Sequence, residues 1–160
     1  MKATMRILGI GSPAGDDRAG WAAAEAVRAS AWYRSRADSV EIECLDRPGP
    51  ALLAAMHGAT QVVLIDAIRS GAPPGTVQRV DLDRIAPPEI GCVSSHGFGL
   101  AEGLALGRAL GMLPERLTLF GVEAEDANDG EGLSAAVRAA LPALVRRVQA
   151  SVTGSDDWSG

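Results

Sequence analysis

The sequence predicts a single three-layer α/β domain, a twisted and mostly parallel sheet of about five strands with helices on both faces. Three observations lead there. Short apolar runs alternate with Ala-rich stretches of helical length, the pattern of strand–helix–strand units. One run, Gln61-Val62-Val63-Leu64-Ile65-Asp66, is apolar without alternation until its last residue, as in a central strand buried on both faces. The 160 residues match the size of one domain, with residues 1–153 forming it and 154–160 a polar, disordered tail.

The elements follow in order. A first strand over Arg6–Ile10 runs into a Gly-rich turn and a helix from about Arg18 to Arg28 or a little beyond. A second strand covers Val40–Asp46 and stops at the breaker cluster Arg47-Pro48-Gly49-Pro50. A short helix, Ala51–His57, leads to the apolar third strand. The turn Ser70–Gly75 opens onto Thr76–Asp81, whose alternation suits an edge strand with one wet face. Ile85–Val93, with Pro87-Pro88 and Gly91, reads as a loop. A helix over Gly99–Leu110 and a strand over Arg116–Glu123 follow, then an acidic, Gly-rich loop from Ala124 to Gly132. The last helix starts at the N-cap residue Ser134 and carries Val137, Leu141, Leu144, Val145 and Val148 on one face. Pro142 inside it should kink it.

Composition excludes several classes of function. With 15 basic and 20 acidic residues the net charge is -5, which argues against sequence-independent binding to nucleic acid or to anionic membranes. No run reaches the roughly 18 apolar residues of a membrane span, and the N-terminus lacks the form of a signal peptide. Cys44 and Cys92 have no CxxC spacing, so neither a disulfide framework nor a cysteine zinc site is expected. The expectation is a reduced, cytoplasmic monomer.

The first turn reads Gly9-Ile10-Gly11-Ser12-Pro13-Ala14-Gly15-Asp16-Asp17. Gly9, Gly11 and Ala14 satisfy the loose dinucleotide pattern GxGxxG/A, with Asp46 as the residue that would hold a ribose. Asp16 and Asp17 oppose it, because they put two negative charges where a pyrophosphate would sit. A cation, or a plain helix cap, is favoured there instead. Asp66 ends a buried strand at its carboxyl end, where open α/β sheets place their ligand sites. A lone carboxylate there needs a partner, a cation or the turn at Ala67-Ile68 to cap. His57 reads as a surface residue. His96, in the small-residue stretch Ser94–Gly99, is either structural or a ligand. In a parallel sheet Asp17, Asp66 and His96 each follow a strand or precede a helix, so they can converge on one edge. Two hard oxygens and an imidazole suit a borderline divalent metal with open positions. No GxSxG serine and no GK[ST] phosphate loop is present, and a Cys92/His96 pair would need a coincidence of fold.

Five stretches, in order over residues 5–148, together resemble the hydrogenase maturation endopeptidases, which process the large subunit of nickel–iron hydrogenases. Arg6-Ile7-Leu8-Gly9-Ile10-Gly11-Ser12-Pro13 with Asp16-Asp17-Arg18-Ala19-Gly20 is similar to that family's GxGNxxxxDDxxG signature. Asp66-Ala67-Ile68 with Pro74-Gly75-Thr76-Val77 resembles its DA…PGTV segment. Ser95-His96-Gly97 with Leu100-Ala101-Glu102 resembles SHxxxLxE, and Leu113–Arg116 with Gly121-Val122-Glu123 resembles LPExV…GIEP. Leu133-Ser134 with Val137 resembles GLSxxV. Ser12 replaces the family's asparagine, the turn from Gly11 to Asp16 is one residue short, and Ala124 replaces a proline. The resemblance implies Asp17, Asp66 and His96 as metal-contacting and catalytic residues. It implies no permanently bound cofactor: nickel arrives in the substrate, the large-subunit precursor, and other divalent metals fit the same site. A relative that only binds nickel or a hydrogenase subunit, without cleaving it, is the nearest alternative.

Overall fold

The computed structural model describes residues 4–82, 98–125 and 132–154. Its strands are β1 (Met5–Gly11), β2 (Val40–Asp46), β3 (Gln61–Ile68), β4 (Val77–Val80) and β5 (Arg116–Glu123). The helices are α1 (Ala19–Arg28), α2 (Ala31–Arg34), α3 (Ala51–Met56), α4 (Phe98–Leu110) and α5 (Ala135–Thr153), with a short 3-10 turn at Gly15–Arg18. They form the expected α/β architecture. The sheet has five strands in the order β2-β1-β3-β5-β4, all parallel except β4, which runs antiparallel to β5 at the edge.

Period two along the strands divides the apolar side chains between the faces. Ile7, Val63, Ile65, Phe120 and Val122 meet Ala19, Ala23 and Val27 of α1 and Val137, Leu144, Val148 and Val152 of α5. Leu8, Ile10, Val62, Leu64 and Leu119 meet Leu52 and Met56 of α3 and Leu100 and Leu104 of α4 on the opposite face. β3, between β1 and β5, is buried along its length up to Ala67, as its continuous apolar run requires.

The sequence boundaries hold closely for β2 and β5, and β3 extends two residues beyond Asp66 to Ile68. Ser134 caps α5, its hydroxyl accepting from the Val137 N–H at 3.3 Å. The helix continues through Pro142 and ends where Gly154 turns left-handed at φ 73°. The helix α2 has no counterpart in the sequence reading. Its four residues are too few to show periodicity, and the fold creates it by capping with Ser30 and packing Trp32 and Tyr33 against the core. The loops expected at 85–93 and within 124–132, and the tail at 155–160, fall wholly or largely outside the described residues.

Where α1 crosses the sheet there is no room for side chains. A Cβ on Gly20 would run into the backbone oxygens of Ile10 and Ile65, and one on Gly9 into the Gly20 oxygen and, at 2.9 Å, the Ala24 Cβ. The oxygens belong to backbone, which cannot swing aside. Gly20→Ala should therefore lower stability by about 3 kcal/mol, a fall of roughly 6–12 °C in the thermal midpoint for a domain of this size. Circular dichroism melting checks this, and a midpoint within 2 °C of wild type (roughly 1 kcal/mol or less) would show that the helix can lift without cost.

Candidate active site

The carboxyl ends of β1 and β3 lie side by side in the sheet, and the site is built there. β1 ends at Gly11, and the chain folds back so that the Ser12 N–H donates to the Asp17 carbonyl at 3.1 Å. A Cβ on Gly11 would strike that same carbonyl oxygen. The glycines of the first turn therefore admit the protein's own backbone, and the space a pyrophosphate would need over Gly11 is filled. Asp46, the residue a nucleotide reading would require, is half of an exposed ion pair with its neighbour Arg47 at 3.0 Å.

The two acids of the doublet separate. Asp16 is 2% exposed and faces inward. Its Oδ1 accepts from the Ser134 N–H at 2.7 Å, and its Oδ2 accepts from the Ser134 hydroxyl at 2.8 Å and the Glu125 N–H at 2.9 Å. It ties the end of β5 and the start of α5 to the first turn. Asp17 is half-buried on the other side of the turn. Its N–H donates to the Ala14 carbonyl at 3.1 Å, and its Oδ2 accepts from the Ser12 hydroxyl at 2.6 Å.

Asp66 is 3% exposed near the end of the most buried strand. Burial, then the negative charge of Asp17, hold its carboxyl well above the usual carboxylate range; the hydrogen bond from the Ala67 N–H opposes them. The structure thus brings together two of the three residues expected from the sequence. No cation among the described residues acts on Asp66; the charge that reaches it is another carboxylate. Two hard oxygen donors with mutual repulsion fit a divalent cation, which would relieve both burial and repulsion. Among the described residues no third His, Cys, Asp or Glu completes a cluster. His96, expected as the nitrogen donor, and Cys92 lie outside the described residues. His57 is exposed, as expected, and Cys44 is a half-buried thiol pushed up chiefly by burial, which makes it a poor nucleophile.

Sequence reasoning missed the role of Glu123. Its side chain is 3% exposed and closes the loop after β3, accepting from the Ser70 N–H and hydroxyl at 2.8 Å each and from the Gly71 N–H at 3.0 Å. It also missed the distinct duty of Asp16. The one available signal was the pairing of an acidic doublet with a distant N-cap serine, and nothing local links residues 118 positions apart.

The HycI hydrogenase maturation protease family model matches residues 47–151. The chain is 34% identical over 131 residues to the hydrogenase expression/formation protein HupD of Thiocapsa roseopersicina, covering 79% of this chain and 57% of that protein. It is 31% identical to the hydrogenase 2 maturation protease of Escherichia coli K12, over 74% of this chain and 73% of that one. The chain spans about half the length of the hydrogenase expression/formation proteins it matches, between 43% and 57%. Among solved structures it resembles the hydrogenase maturating endopeptidase HybD from E. coli, with a TM-score of 0.79, 28% identity, and 96% and 94% of the two chains covered.

Loss of the two buried acids should have opposite effects. Asp16→Ala strands three donors and should cost about 3 kcal/mol, read as a lower midpoint in urea or heat; an unchanged midpoint would contradict its role as a tie. Asp66→Asn should do the reverse. The folded carboxyl keeps its proton to higher pH than the unfolded one, so wild-type stability falls as pH rises from about 4 through the folded value. In chelator at neutral pH the asparagine variant should melt higher than wild type, with the difference closing towards about pH 3.5. A variant that melts lower at neutral pH would show that the ionised form is stabilised.

Proposed function

The chain belongs to the hydrogenase maturation protease family, and on that premise we propose that it is an endopeptidase that removes the C-terminal extension of a nickel–iron hydrogenase large-subunit precursor. The metal is part of the substrate. Asp17, Asp66 and His96 dock on the nickel already inserted in the precursor, and this docking sets the scissile peptide beside them. The observation that carries the reading is Asp66, a carboxylate 3% exposed with a second carboxylate as its charged neighbour. Such a pair is costly in the free protein and gains most when a cation arrives. That is the behaviour wanted of a site that reads a metal and then lets it go, whereas a closed thiolate-rich site would retain it. His96 precedes α4 by two residues in the chain, and Leu100 and Leu104 of that helix pack on the same face as Val62 and Leu64, the face that Asp66 shares by strand periodicity.

The chemistry is hydrolysis of one peptide bond. A water adds to the scissile carbonyl carbon, the C–N bond breaks, and the proton taken from water ends on the departing amine. An aspartate accepts that proton first, and backbone N–H groups or the metal stabilise the oxyanion. The sequence carries no GxSxG serine, and a water-based reaction needs none.

Asp17→Asn and His96→Ala should each reduce cleavage of a nickel-loaded precursor by at least about a hundredfold while leaving the far-ultraviolet dichroism unchanged. Full processing by both variants would remove these residues from the site.

A further inference from the structure

The geometry points to Ser12 as the residue that positions Asp17 for the incoming metal, an inference that rests on the reading of Asp17 and Asp66 as the metal-docking pair. Ser12 is 5% exposed. Its hydroxyl has one proton, and the 2.6 Å separation from Asp17 Oδ2 assigns that proton to the carboxylate. The Ala14 N–H approaches the same hydroxyl oxygen at 3.4 Å, from the acceptor side, so the hydroxyl points one way only. The backbone holds the frame: the Ser12 N–H donates to the Asp17 carbonyl and the Asp17 N–H to the Ala14 carbonyl, both at 3.1 Å. Asp17 is therefore pinned at its N–H, its carbonyl and one carboxylate oxygen, all within one turn.

Ser12 thereby fixes the orientation in which the Asp17 carboxylate meets a cation shared with Asp66. A carboxylate held in this way faces the metal along a set direction, and less freedom is lost when the metal docks. The hydroxyl also satisfies Oδ2 without bringing a charge of its own, so it does not compete with the cation. Ser12 touches neither metal nor peptide in this account; it acts through Asp17.

The test compares wild type with Ser12→Ala, Ser12→Cys and Ser12→Thr, measuring KM and kcat on nickel-loaded precursor and cadmium affinity by calorimetry. Ser12→Ala should raise KM and weaken cadmium binding by about tenfold or more, the usual effect of removing a hydrogen-bond partner from a metal-binding side chain. Ser12→Thr, which keeps the hydroxyl, should stay within about threefold of wild type. A merely structural serine would lower the melting temperature of the alanine variant and leave both constants, measured well below it, unchanged; that result overturns the inference. If the alanine variant folds poorly, the contrast between cysteine, a weak donor of similar size, and threonine decides in the same way. A wild-type protein that neither cleaves the precursor nor binds cadmium overturns the metal-docking reading itself, and the role of Ser12 with it.

Discussion

The site depends on one close contact, the backbone-to-backbone approach of the first turn and α1 onto the ends of β1 and β3. Gly9, Gly11 and Gly20 are the three positions where a Cβ would meet a backbone oxygen of that neighbouring segment. With those atoms absent, α1 sits directly on the sheet and the carbonyl of Asp17 lies against Gly11. The same approach that buries Ala19, Ala23 and Val27 therefore carries Asp17 to within electrostatic reach of Asp66. A helix lifted by a methyl group would weaken the core and move one carboxylate away from the other. Packing and chemistry share a cause here.

Four acids show how surroundings assign different tasks to one functional group. Asp16 and Glu123 each receive three hydrogen bonds from backbone N–H groups and serine hydroxyls, and both act as ties between segments. Buried carboxylates so satisfied are stable and have no need of a cation. Asp66 is as deeply buried, yet among the described residues the hydrogen bond that favours its ionised form comes from the Ala67 N–H and its charged neighbour is Asp17. Asp17 is half-buried, with one oxygen held by Ser12. Burial and repulsion between like charges set Asp66 apart from the two tied acids, and it is this cost that a cation would relieve under the proposed function.

Much of the fold was legible because its signals are local. The unbroken apolar run of β3 marked a doubly covered strand, the alternation of β4 marked an edge, and Ser134 marked the start of α5. Asp66 was legible for the same reason, as a carboxylate closing an apolar run. The short helix α2 was not, since a capping serine and two packed aromatic residues give no periodic pattern over four positions. The separate roles of Asp16 and Asp17 were also hidden: adjacent acids look alike in sequence, and only a partner 118 residues away turns one of them inward. The glycine spacing was ambiguous for a physical reason. Close backbone approach is needed both for binding a pyrophosphate and for seating a helix, and GxG alone reports the approach without the partner.

If the paired carboxylates read a metal carried by the substrate, cleavage follows the presence of nickel. The measurement that addresses it most directly is the intact mass of a large-subunit precursor before and after incubation with this protein, with nickel-loaded and nickel-free samples side by side. Loss of a C-terminal peptide from the nickel-loaded precursor alone is the predicted result. Cleavage of both samples would keep the protease and remove nickel as its signal, and cleavage of neither, with a complex shown to form, would contradict the account.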